Sequence, residues 1–414
     1  MSRLRHDGRQ GISGVILPET TKYTSHRSVF NILELFVMNL FSKETFGILS
    51  ASRALFQAKQ MPWKYAGEVG PYQLELFSTE RLGEHGRLLA EKHRVATEKH
   101  PEVLLPRLVD SERMFLSVHN RLDEDVKRGV QIAPAGECFL DNFYILEEQI
   151  RAVRRHLPKG YSRELPHLTT GFSAGLPRTY DIAQEVIWHS DGRVNAETVK
   201  AVLSSYQTVS VLTMGELWAV PIMFRFALIE NIRHITSLVT AYRTDRALAV
   251  HWAGKLIHTV TASPKDLIMV IADMARSNPS LTGSFVAEFS RELKGMGPSM
   301  ALPLTWVEQQ LADSGQTIDQ LVQMENQMQA ASQLSMSNCF NSLRAIESVD
   351  WKGIVDFVSV VENTLRKDPS EVYAAMDFNS RNYCRTIIEK MARGSHLTEN
   401  EIALKAIDLA REGM

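Results

Sequence analysis

Cysteine is almost missing from this sequence: three occur in 414 residues, at positions 138, 339 and 384. They are far apart, odd in number and form no CxxC pair. That excludes a disulfide framework or a cysteine zinc cluster and fits a reducing compartment. Long apolar runs are missing as well, and a membrane-crossing helix needs about 20 mostly apolar residues. Leu217–Ile229 is too short and contains Arg225, and Val29–Phe41 contains Glu34, Asn31 and Asn39. The longest charge-free run, Asn326–Leu343, is rich in Gln, Ser and Asn. The N-terminus reads without a signal-peptide pattern. An excess of charge is also missing: 46 basic and 48 acidic residues give a net charge of −2, which offers nucleic acid no bulk attraction.

Motifs that carry chemistry are sparse. No phosphate-binding loop, dinucleotide-binding glycine pattern or nucleophile elbow is found. Among the 13 histidines no two lie three or four apart. His251 and His258 share a helical face but are too distant to hold one metal without further ligands. Asp123-Glu124-Asp125 has the DxD spacing with which two carboxylates can chelate a hard cation, but its helical, polar flanks favour a solvated charged turn. No catalytic, cofactor-binding or metal-binding residue is therefore expected.

What is present is helical. Hydrophobic residues make up 44% of the chain and charged residues 23%, enough to build a sizeable core. Leu104, Leu105 and Leu108 lead into Phe115, Val118, Leu122 and Val126, a three-and-four spacing that predicts one buried helical face. Phe143, Leu146, Ile150, Val153 and Leu157 repeat it. Asp141 is the expected N-cap of that helix and Pro158 its stop. Arg151 and Arg154 follow Glu147 and Glu148 towards the helix C-terminus, where positive charge complements the helix dipole. Together with Lys159, these two arginines are candidates for phosphate or partner docking.

The connection Pro158–Pro177 is long and aromatic enough to be packed. Asn195 predicts a helix start, as do Ser263-Pro264 and two capping boxes, Thr213–Glu216 and Thr398–Glu401. The apolar helix Leu217–Ile235 contains Pro221 and Arg225. The guanidinium of Arg225 either snorkels to water or pairs, buried, with Glu230 or Glu148. Strand-like alternation is scarce. The expected fold is all-α, a bundle-like array of two packed helical units with no large sheet. Its expected divisions are 1–70 (a tail with one or two helices), 71–295, and 296–414, the second boundary at Gly295–Pro298.

Several strings, taken in order, resemble the N-terminal cytosolic region of the bacterial cyclic β-1,2-glucan synthase family. They include "LELFSTERLGEHGRLLAEKH" from Leu74, "LDNFYILEEQIRAVRRHLPKGYSRELPHL" from Leu140, and "GELWAVPIMFRFALIENIR" from Gly215. "TWVEQQL" follows, and then the stretch Val372–Ala410, so the resemblance covers about residues 74–410. It implies a non-catalytic helical domain at the cytosolic face of the inner membrane, on a fragment or a split-gene subunit. The implied partners are membrane segments and a glucosyltransferase domain on the same or a neighbouring polypeptide. UDP-glucose and a divalent metal are implied for that missing domain and not for this chain. Two other readings stay open: a free-standing helical interaction scaffold, and a small independent enzyme with an unrecognised site.

Overall fold

The computed structural model describes residues 75–96, 100–158, 160–312 and 315–413. The helices expected within 1–70 lie outside the described residues. The rest is all-α. Helices α1 (Thr79–Lys92), α2 (Leu104–Lys127), α3 (Pro134–Asp141), α4 (Phe143–His156), α5 (Tyr161–Glu164), α6 (Arg178–His189) and α7 (Ala196–Gln207) lead to one long helix, α8 (Met214–Ala262). Then come α9 (Leu267–Ser277), α10 (Gly283–Leu293), α11 (Ala301–Ala312), α12 (Ile318–Ser348), α13 (Trp351–Val358), α14 (Val360–Leu365), α15 (Val372–Ala375), α16 (Phe378–Arg393) and α17 (Glu399–Glu412). One small antiparallel pair, β1 (Val95–Ala96) with β2 (His167–Leu168), joins the end of α1 to the connection before α6.

The helix starts follow local chemistry. Asn195 accepts the Thr198 amide at 2.8 Å and opens α7. Thr213 with Glu216, Thr317 with Gln320 and Thr398 with Glu401 form capping boxes that open α8, α12 and α17. At α4 the expected cap is corrected. Asp141 is the exposed last residue of α3, and Asn142 occupies the cap position. Its side-chain amide turns back to the Cys138 carbonyl at 2.8 Å, so it caps nothing ahead. The connection Pro158–Pro177 is packed: it holds α5 and β2, and Tyr161 donates to the Gly215 carbonyl at 2.9 Å.

Along α2 the inward stripe is Phe115, Val118, Leu122 and then Asp125, while Val126 is half exposed. The expected apolar face thus ends one residue early, in a buried carboxylate. Helix α8 does not end near Ile235. Its first half is mostly apolar and mostly buried, with Trp218, Pro221 and Arg225 only partly covered, and it passes through Pro221 and continues to Ala262.

Two hydrophobic cores result. The first gathers α1–α8 as far as Val239 and closes with Met336–Ile346 of α12 and α13–α17. The second joins Ala249–Leu256 of α8 to α9, α10, α11 and Leu321 at the start of α12. The Gly295–Pro298 stretch falls inside the second cluster, between Leu293 and Met300, and not between the two cores. Where α8 passes from one core to the other it carries charge. Arg243 pairs with Asp125, Arg246 with Glu288 at 2.8 Å, and Asp245 accepts from Thr282 at 2.6 Å.

Helices α1 and α7 run in close contact. A Cβ on Gly86 would stand 2.8 Å from the Val202 carbonyl oxygen. Backbone cannot swing aside as a side chain can. Gly86→Ala is therefore expected to destabilise the chain by about 1–3 kcal/mol, the usual cost of overpacking. Thermal melts check this, and an unchanged melting temperature would mean the two helices separate freely.

Candidate functional site

A convergence of polar groups lies at the start of α8. Thr213 Oγ1 accepts the Glu216 amide, and Glu216 Oε2 accepts the Thr213 amide at 2.9 Å. Glu216 is fully buried. A buried carboxylate needs a counter-charge, and Arg178 at the head of α6 supplies one. Its Nη2 donates to Glu216 Oε2 at 2.6 Å while its Nε donates to Oε1. The same guanidinium donates to Ser210 Oγ at 2.8 Å and to the Val211 carbonyl at 2.9 Å. All three arms of Arg178 are used, and they tie the loop before α8 to α6.

Glu399, the first residue of α17, reaches the same place and accepts the Met214 amide at 2.8 Å. Burial drives its carboxyl from 4.5 up to about 7; the Met214 amide opposes this, and the charges of Glu389 and Glu216 add to it. Glu399 is thus a carboxyl that titrates near neutrality inside a helix junction.

The residues singled out from sequence are not brought together. Glu148 and Arg151 are exposed, and Arg154 pairs with Glu112 across to α2 at 2.6 Å. Lys159 lies outside the described residues. Glu230 does form a buried pair, but with Arg107 at 2.6 Å and Ser111 at 2.8 Å. Neither it nor Glu148 serves Arg225. Arg225 is half-buried and makes no ion pair among the described residues; burial lowers its pKa and Glu347 partly offsets this. The charged turn at 123–125 also divides. Asp123 pairs with Lys127 in solvent, and Asp125 is buried against Arg243.

Three clusters were not anticipated. Arg178 carried no local signal, because its partner lies 38 residues away. Glu362, fully buried, is met by Arg366 at 2.9 Å, Arg381 at 3.0 Å and Arg385 at 3.0 Å, with Tyr373 donating at 2.7 Å. The third lies between α1 and α6. His85 Nε2 stands 2.8 Å from Glu185 Oε2, and His189 Nε2 stands 3.5 Å from the same oxygen. Glu185 and His189 are four apart on one helix, a carboxylate–histidine pair that a search for paired histidines passes over. Burial works against charge on Glu185, but the imidazoles of His189 and His85 outweigh it and hold its pKa near 2.

A cleft of about 660 Å³ lies over the junction of α7, α13 and α14. Its carboxylate, Asp356, is held by Arg381 at 2.6 Å and by Arg385.

No family model matches the chain. Over 337 residues it is 32% identical to the cyclic β-(1,2)-glucan synthase NdvB of Rhizobium meliloti (strain 1021). The chain resembles a cyclic glucan synthase along most of its length. The matched segment covers 81% of this chain and 12% of that synthase. Glucan-synthase relatedness is thus carried by an all-α region whose buried charges are largely spent on one another.

Two stability tests follow. Arg178→Ala leaves Glu216 buried and without that arginine and is expected to cost about 3–5 kcal/mol, whereas Arg225→Ala, with no ion pair to break among the described residues, should shift the melt far less. Equal losses in denaturant titrations would contradict the assignment. Glu399 has a folded pKa raised above its unfolded one, so its contribution is fully present below pH 4.5 and is lost as pH rises through about 7. Glu399→Gln removes that loss. It should stabilise the chain above neutrality, by on the order of 3 kcal/mol at most, and change little in mild acid; a pH series of melts reads both limbs.

Proposed function

We propose that this chain is a non-catalytic helical domain of a cyclic β-(1,2)-glucan synthase system, one that supports catalytic and membrane segments on the same or a neighbouring polypeptide. The similarity over 337 residues carries the reading. The internal chemistry supports it. Glu216, Glu230, Glu362 and Asp125 are each committed to an arginine inside the fold. A carboxylate so engaged has its oxygens taken up by a guanidinium inside the fold, whereas a general acid or base must reach the substrate it exchanges protons with.

Among the described residues no helix is long and apolar enough to cross a membrane. Residence at the cytosolic face of the inner membrane, beside a glucosyltransferase that uses UDP-glucose, is part of the same proposal. The docking faces would be exposed ones, where Arg151 and the solvent side of α4 belong.

The test has two arms. Purified chain incubated with UDP-glucose is expected to form no polymer, and removal of the gene from its host is expected to lower cyclic glucan, with recovery on re-expression. Glucan made by the chain alone would overturn the non-catalytic assignment. Unchanged glucan after removal would favour the free-standing scaffold instead.

A further inference from the structure

We propose that His85, Glu185 and His189 form a zinc site that clamps α1 to α6. One candidate ligand atom from each of the three lies within 4.8 Å of the others. Ligands about 2 Å from a tetrahedral zinc stand about 3.3 Å apart, so small side-chain rotations close the set. Two imidazoles and one carboxylate suit zinc rather than magnesium or calcium, which take oxygen shells. Three protein ligands leave a fourth position for water.

The hydrogen-bond pattern leaves a ring nitrogen available to a cation here. His189 Nδ1 lies 2.8 Å from the Glu75 carbonyl oxygen. A carbonyl can only accept, so Nδ1 carries hydrogen and Nε2 is the ring's free position. In neutral His189 that nitrogen turns a lone pair towards the Glu185 carboxylate, 3.5 Å away. Two acceptors repel unless something stands between them, and a proton on Nε2, a bridging water or a metal ion each satisfies both. A backbone carbonyl holding the far nitrogen is also how metal-binding histidines are oriented.

The surroundings are built to fix the rings. Phe77 stacks on His189 with centroids 4.0 Å apart and meets His85 edge-on at 5.5 Å. The Phe77 amide donates to the His189 carbonyl at 2.9 Å. The three side chains are only 19%, 21% and 10% exposed, so the set is largely shielded from solvent.

The experiment uses the full chain without a histidine tag, dialysed against chelator. Calorimetric titration with zinc chloride is expected to show one tight equivalent and a raised melting temperature. His85→Ala and Glu185→Gln should each weaken that equivalent by about 100-fold or more, since even losing an outer-shell partner costs about 10–100-fold. The double variant His251→Ala/His258→Ala should leave it unchanged. Cobalt on the unmutated chain should give the intense visible bands of a four-coordinate centre, a readout independent of any variant's folding. A folded chain that binds no zinc would overturn the proposal. Uptake indifferent to His85 and Glu185 would overturn it too.

Discussion

Glu216 cannot be both buried and charged without Arg178, and the start of the longest helix cannot be fixed without Glu216. One carboxylate closes the capping box of α8 and neutralises the head of α6. Because both oxygens are occupied, the register of α8 is set against α6 before any apolar side chain is counted. Everything downstream inherits that register: the first core along Leu217–Val239, the charged crossing at Arg243–Arg246, and the second core at Ala249–Leu256. A buried pair is a poor source of net stability, since desolvation offsets much of its attraction. Its value here is directional, because apolar contacts alone permit a helix to slide or rotate and a bidentate guanidinium does not.

The same pattern recurs at Glu230 with Arg107 and at Glu362 with three arginines. At these junctions a carboxylate is turned inward and met by arginines, most of them from other helices. This explains why charge density along the sequence is a poor guide to reactive sites in this protein. The charged C-terminal half of α4 lies largely in solvent, and the consequential charges lie among apolar neighbours.

What could be read from sequence divides along that line. The all-α class followed from three-and-four spacing, and the openings of α7, α8 and α17 from caps whose partners lie three residues away. Local chemistry of that kind is written in adjacent letters. The partner of Glu230 lies 123 residues off and the partner of Asp125 lies 118 residues off, and no periodicity links them. The stripe on α2 misled by one position because Asp125 and Val126 both fit a helical face, and only Arg243 decides between them. His85, 100 residues from Glu185, was out of reach for the same reason, whereas the Glu185–His189 half was legible to anyone counting carboxylates beside histidines.

The path of the chain through the two cores has a consequence for its birth on the ribosome. Residues 249–321 hold the whole second core, but the first is assembled from residues 82–239 together with residues 336–403. All residues of the later-numbered core are therefore made while the earlier one still lacks the helices that close it. Throughout that interval the apolar flank of α8 from Leu217 to Val239 lacks the cover that α12 brings. Domains generally fold as units in order of emergence. Here the first core stays unfinished until residues 336–403 are made, and any chaperone demand in the cell should peak in that window.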